Sequence, residues 1–168
     1  HRYILHCVAF SRFSVMVPVW YRLHFGHHSD PTDEQIVLAQ PVSILMVALS
    51  AAALIGLPFG DWSSFFAALT ASLMAVILYE FVHCLAHSQF LAKQAYLRAL
   101  QMHHRLHHFH SEKGNYGIAF MIVDRMVGTQ YRSNLERPRS PTVNNLGYTG
   151  DIARDYPRLA DYAARQRS

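Results

Sequence analysis

Histidine is the residue through which this sequence could do chemistry. All twelve histidines fall in three windows, His1 to His28, His83 to His87 and His103 to His110. Ten of them compose four motifs: His1-x4-His6, His24-x2-His27-His28, His83-x3-His87 and His104-x2-His107-His108. On a helix, residues three and four apart share a face, so His83 with His87, and each His-x2-His-His triplet, is expected to aim its imidazoles at one point. His1 and His6 lie five apart, about 140° around an ideal helix, and so need a bulge or two different ions. Neutral imidazole binds zinc, copper, iron and nickel alike. A closed structural zinc site takes four ligands; ten histidines imply two metal ions with open positions, which suits oxygen chemistry.

Glu80, three residues before His83, shares its helical face. It is expected either to hold the imidazole from behind, to bind metal, or to face water at a membrane boundary. His103 and His110 fall outside the four motifs and are candidates for supporting or solvated positions, although His103-x3-His107 leaves the register of the last motif open.

The elements that must position these residues are legible in the charges. Between Arg22 and Lys93 there is no Lys or Arg, and residues 36–60 and 62–79 carry no charge. As helices these stretches reach about 38 and about 27 Å, close to the roughly 30 Å of a hydrocarbon core. The connector Leu57-Pro58-Phe59-Gly60-Asp61 has room for little beyond a turn, so a helical hairpin is expected, with Asp61 and Trp62 at its tip. Three Arg precede it and twelve Lys or Arg follow, which places both flanks, with the histidines and the C-terminus, on the cytoplasmic side. The alternative is a pair of buried core helices in a soluble protein. Imidazoles beside a membrane are costly unless their lone pairs are used, and metal uses them. Residues 7–21, interrupted by Arg12 and Pro18, read as an interfacial or half-buried helix. After Arg132 the chain turns polar and Pro-rich, then amphipathic from about Asp151 to Arg167, giving a tail over 132–168 with a peripheral helix behind a membrane domain over 1–131.

The remaining composition excludes more than it identifies. At 168 residues one domain is expected. Cys7 and Cys84 cannot make a disulfide framework and read as buried thiols. The excess of 15 Lys and Arg over 11 Asp and Glu forms no stripe, being interspersed with Glu136, Asp151, Asp155 and Asp161, so nucleic acid is not expected as a partner. The sequence opens on His1 with no signal-peptide pattern, as a piece of a longer protein would.

A hairpin bracketed by these four histidine motifs resembles the fatty acid hydroxylase and sterol desaturase superfamily. The likeness reaches about Thr129, through His104-Arg-Leu-His-His-Phe-His-Ser-Glu-Lys-Gly-Asn-Tyr-Gly117 and Asp124-Arg-Met-Val-Gly-Thr129. It implies an all-α, integral membrane helical protein with a transmembrane hairpin and a cytoplasmic, histidine-rich dimetal cap. Two iron ions are the implied cofactor, with zinc a possible occupant of the purified protein and dioxygen the co-substrate. Beyond the metal ligands no catalytic side chain is implied; Asn115 and Asp124 are candidates to support them. Two electrons would come from cytochrome b5 or a ferredoxin with its reductase, and the substrate would be a membrane lipid that is hydroxylated or desaturated. The first spacer and His27-His28-Ser-Asp-Pro31-Thr-Asp33 lean toward the fatty acid and sphingolipid 2-hydroxylases over enzymes of sterol or carotenoid-like lipids. The implied home is a bacterial inner membrane or the endoplasmic reticulum. No cytochrome b5-like domain is present, and membrane segments expected before His1 are missing.

Two other classes compete: a zinc or copper transporter, and a structural zinc protein or inactive relative. Transporters place ligands near the bilayer midplane, whereas the middles of both apolar segments, around Leu49 and Thr70, contain no histidine. A staple needs neither ten ligands nor open positions.

Overall fold

The computed structural model describes residues 1–167, and among them every regular element is helical. The centre of the fold is a hairpin of α4 (Pro41–Gly56) and α5 (Trp62–His87). Its tip is built by local chemistry. Leu57–Phe59 form one 3-10 turn, Gly60 takes φ +76°, and Asp61 then caps α5, accepting from the Ser64 amide at 2.7 Å and the Ser63 and Ser64 hydroxyls at 2.5 and 2.7 Å. Those hydrogen bonds hold the exposed Asp61 carboxyl at about 2.

The two helices meet through small residues one turn apart. Ala48, Ala52 and Gly56 of α4 are buried, and a Cβ on Gly56 would lie 2.6 Å from Phe65 Cα and 2.8 Å from Ser64 O. Without a hydrophobic drive between helices in lipid, such close backbone approach supplies the packing. The opposite faces present Val42, Met46, Leu54, Ile55, Phe66, Met74, Ile77 and Phe81 to the outside. Two stretches, Glu34–Phe59 and Trp62–His87, are long and apolar enough to cross a membrane. Only 17% and 6% of their most apolar windows are buried, far below what core helices of a soluble protein require.

Both segments depart from their charge-defined limits. The first is divided into α3 (Glu34–Val37) and α4, because Pro41 keeps Gln40 extended at ψ 140°. The second overruns the uncharged stretch: with neither Gly nor Pro inside it, α5 continues for 26 residues and carries Glu80, His83 and His87 out on one rigid rod.

A cap covers the open end of the hairpin. Its N-terminal part comprises a 3-10 turn (Val8–Arg12), α1 (Met16–Trp20), a π-helical turn (Tyr21–Phe25) and α2 (Gly26–Ser29). Residues 7–21 are half-buried, with Val17 and Trp20 inside and Val15 and Val19 outside. The rest is α6 (Ala95–Phe109), α7 (Ile122–Met126), α8 (Gly150–Asp155) and α9 (Arg158–Arg167). Leu159 and Ala163 of α9 are buried in one cluster with Val17, Trp20, Tyr21, Phe25, Leu146 and Tyr148. α6 is tied to the end of α5 by two side chains: Gln101 donates to the carbonyls of Leu85 and Phe90, and Arg105 to those of Ala86 and Ser88. These bonds satisfy carbonyls that the helix end leaves open.

Gly56→Val tests the hairpin packing. The added side chain meets backbone, so the variant is expected to lose about 1–3 kcal/mol of stability, read as a lowered thermal midpoint in detergent, whereas Leu54→Val on the outer face should leave the midpoint unchanged.

Candidate metal centre

The ten motif histidines gather into two groups of five. His1, His6, His24, His28 and His107 form the first; His27, His83, His87, His104 and His108 form the second, and in each the ligand-capable atoms lie within 4.8 Å of one another. The triplets do not aim at single points. In each, the pair four apart joins one group (His24 with His28, His104 with His108) and the middle histidine, His27 or His107, joins the other. The reason is rotation: residues four apart differ by about 40° around a helix, while the residue between them stands about 60° to 100° away from both. The two groups therefore share walls, and His28 and His108 pack at 4.1 Å between ring centroids. His1 and His6 both belong to the first group, which a helix would forbid; residues 2–6 are turns. His24 sits in the π-helical turn, where the altered register re-aims its ring.

Hydrogen bonds fix the protonation of three first-group rings. His1 Nδ1 donates to Tyr116 O at 2.6 Å, His28 Nδ1 to Val143 O at 3.0 Å and His107 Nδ1 to Gly114 O at 2.7 Å. A carbonyl only accepts, so each Nε2 carries a bare lone pair. The Nε2 atoms of His28 and His107, and both ring nitrogens of His108, are buried without a partner. Burial, reinforced by neighbouring histidines, lowers the pKa of His24, His28, His104, His107 and His108 well below the ordinary value, and His6 falls to about 2. Neutral rings with converging, unused lone pairs fit a cation.

Spacing fits as well. Nε2 atoms approach at 3.0 Å (His1 and His24), 3.2 Å (His1 and His6), 2.9 Å (His27 and His83), 3.1 Å (His27 and His87) and 3.0 Å (His87 and His104). With metal–nitrogen bonds of about 2.0–2.1 Å, ligands about 90° apart bring nitrogens to about 2.9 Å and tetrahedral ones to about 3.3 Å. The observed distances span the two values and suit nitrogens that share one ion.

The remaining sequence candidates occupy other positions. Glu80 Oε2 accepts from the Ala39 amide at 3.1 Å, tying α5 to the link before α4, and belongs to neither group. His110 faces the Arg137 carbonyl at 2.6 Å. His103 Nε2 lies 3.0 Å from Asp124 Oδ2. Burial pushes Asp124 up, but bonds from His103, Thr129 and the Gly117 and Tyr116 amides outweigh it and hold the carboxyl at about 2. Asn115, fully buried at φ +55°, donates to the carbonyls of His103 and Tyr131 and accepts from the Tyr131 amide. Asp124 and Asn115 thus clamp the Gly114–Gly117 loop whose carbonyls meet His107 and His1. A Cβ on Gly114 would lie 2.5 Å from Thr129 O.

A cavity of about 500 Å³ borders the first group, with His1, Tyr116, Tyr79, Ala75, Ile118 and Val123 among its walls. Tyr79 also stacks 5.9 Å from His83 of the second group. Sequence reasoning passed over Gln101, Arg105 and the carbonyls of Gly114, Tyr116 and Val143; only the two glycines flanking Asn115-Tyr116 hinted at a tightly packed loop.

A hairpin of membrane-spanning length capped by two adjoining five-imidazole groups defines a class of helical proteins with two candidate membrane spans and a polyhistidine centre that could hold metal. Within that class the fatty acid hydroxylase family model matches residues 1–129, and the chain belongs to that family. It is 27% identical over 126 residues to fatty acid 2-hydroxylase of Homo sapiens, covering 74% of this chain and 33% of that protein. It is 26% identical over 131 residues to the Rattus norvegicus fatty acid 2-hydroxylase (77% and 34%). With the ceramide very long chain fatty acid hydroxylase scs7 of Schizosaccharomyces pombe it shares 25% over 134 residues (77% and 37%). The chain thus spans about a third of the length of the curated relatives it matches. No solved structure matches it.

Two measurements check this geometry. Asn115→Gly keeps the positive φ and loses the clamp, so it should destabilise by at least about 2 kcal/mol through stranded buried groups, and Asn115→Ala, strained besides, by more. For the metal-free chain, histidines depressed in the fold but ordinary when unfolded give the unfolded state more bound protons below about pH 6.5. Its thermal midpoint should therefore fall steadily from pH 7 to pH 5.

Proposed function

We propose that this chain is the metal-binding part of a membrane lipid hydroxylase, with one iron ion held by each five-histidine group. The observation that carries the reading is the convergence of ten imidazoles, three with protonation fixed by carbonyls, beside an apolar cavity at the end of a membrane-length hairpin. Bound iron would supply the activation of dioxygen, with two electrons from cytochrome b5 or a ferredoxin and its reductase. The chain's own residues do the rest. Carbonyls of the 114–116 loop orient His107 and His1, and the burial of the rings keeps protons from competing for the ligand nitrogens. The cavity wall of Ala75, Ile118 and Val123 would hold an acyl chain against His1 and exclude water.

A fatty acyl or sphingolipid substrate and hydroxylation over desaturation follow the names of the relatives. Sidedness follows the excess of Lys and Arg after the hairpin, which favours the histidine cap and C-terminus in the cytoplasm. Ten histidines exceed the four ligands of a closed zinc staple, and histidines confined to the cap and the adjoining end of α5, away from Leu49 and Thr70, weigh against a transporter.

The deciding experiment is metal analysis with dioxygen uptake on protein purified anaerobically in detergent and supplied with an electron donor and a long-chain acyl lipid. About two irons per chain with lipid-dependent uptake is the expected result; tightly held zinc, with no uptake after iron reconstitution, would overturn the proposal. Full activity in His107→Ala would do the same. Ala75→Phe, which fills the cavity, should cut turnover of a long acyl substrate about tenfold or more while metal content stays unchanged.

A further inference from the structure

Glu112 is 4% exposed, lies outside both histidine groups, and has no part in the function just described. Its Oε1 accepts from Ser140 Oγ at 2.9 Å and from Thr142 Oγ1 at 2.5 Å, and those two hydroxyls also meet at 3.0 Å. Its Oε2 is buried without a partner. A buried carboxylate with one idle oxygen is costly to keep, which directs attention to what the other oxygen fixes.

It fixes residues 140–144. The Ser140 amide donates to His110 O at 2.8 Å, closing the same staple from the backbone. One residue beyond Thr142, Val143 is 2% exposed and its carbonyl accepts from His28 Nδ1 at 3.0 Å; Asn144 Nδ2 then donates to the His28 carbonyl at 3.2 Å. Both the ring and the main chain of His28 are therefore held by a segment 115 residues away. That segment lies outside the residues matched by the family, 1–129, while the two other carbonyls that orient first-group rings, at Gly114 and Tyr116, lie inside them.

We infer that Glu112, Ser140 and Thr142 are positioning residues for the first metal site: together they set the Val143 carbonyl that turns the His28 lone pair toward the ion. The inference rests on the two-metal reading above. It assigns to the C-terminal stretch a role in ion retention at one site only, because among the described residues the side-chain bonds of second-group histidines run to one another and none to residues 137–146. Outer partners of ligand histidines are typically worth about 10- to 100-fold in metal affinity, and the same loss is expected here at the first site alone.

The test titrates a chelator against the iron-loaded full chain in detergent, counting metal per chain and following helix content by circular dichroism. Ser140→Ala combined with Thr142→Val should release about one of two ions at a chelator concentration some 10- to 100-fold below that needed by the parent, with helix content unchanged. Thr142→Ser and Glu112→Gln, which retain a hydroxyl and an acceptor oxygen, should hold both ions as the parent does, and Glu112→Ala should behave like the double variant. Retention of both ions at parental affinity, or loss of both together, would overturn the inference. A parent chain that holds no metal would instead overturn the reading on which it stands.

Discussion

Lone pairs repel, and this protein crowds them. Rings of His1, His28 and His107 have their protons committed to carbonyls on the far side, so their bare nitrogens face one another inside a space less than 4.8 Å across. Burial makes protonation a poor remedy. A cation at the centre would turn the repulsion into bonding, and much of the remaining architecture holds the rings where they converge. α5 runs unbroken to His87, Arg105 and Gln101 lash α6 to its end, and the 114–117 loop is clamped by Asp124 and Asn115.

How far the sequence revealed this differs by element. The hairpin was legible because lipid exposure demands uncharged runs and turns demand Gly, Pro and a cap, so residues 57–61 announced the tip. The grouping of histidines was legible only in number. Spacing four apart keeps His24 with His28, His83 with His87 and His104 with His108, but His27 and His107, three residues after the first of their triplets, join the opposite group, and nothing in His104-x2-His107-His108 says which ring goes where. The non-helical path of residues 2–6, which lets His1 and His6 meet, depends on tertiary bonds such as Trp20 Nε1 to Leu5 O at 2.7 Å, and local propensity carries no trace of it.

Main-chain carbonyls were the least visible part. Any residue can offer one, so the choice of Gly114, Tyr116 and Val143 leaves no signature in residue type. What the sequence does show is the constraint around them: glycine at 114, where a side chain would strike Thr129 O, and asparagine at 115, where φ is positive. The 140–144 stretch read as polar tail because its hydroxyls face Glu112 rather than an apolar partner.

The two histidine groups also differ in how much chain lies between their members. Four of the second group, His83, His87, His104 and His108, fall within one hairpin end and the next helix, and only His27 comes from elsewhere. The first draws on both sides of the hairpin and on loops as far as Val143. Loop-closure entropy grows with the length of chain enclosed, so four of the five rings of the second group need only α6 folding back on α5, whereas the first group gathers only when chain on both sides of the hairpin is brought together.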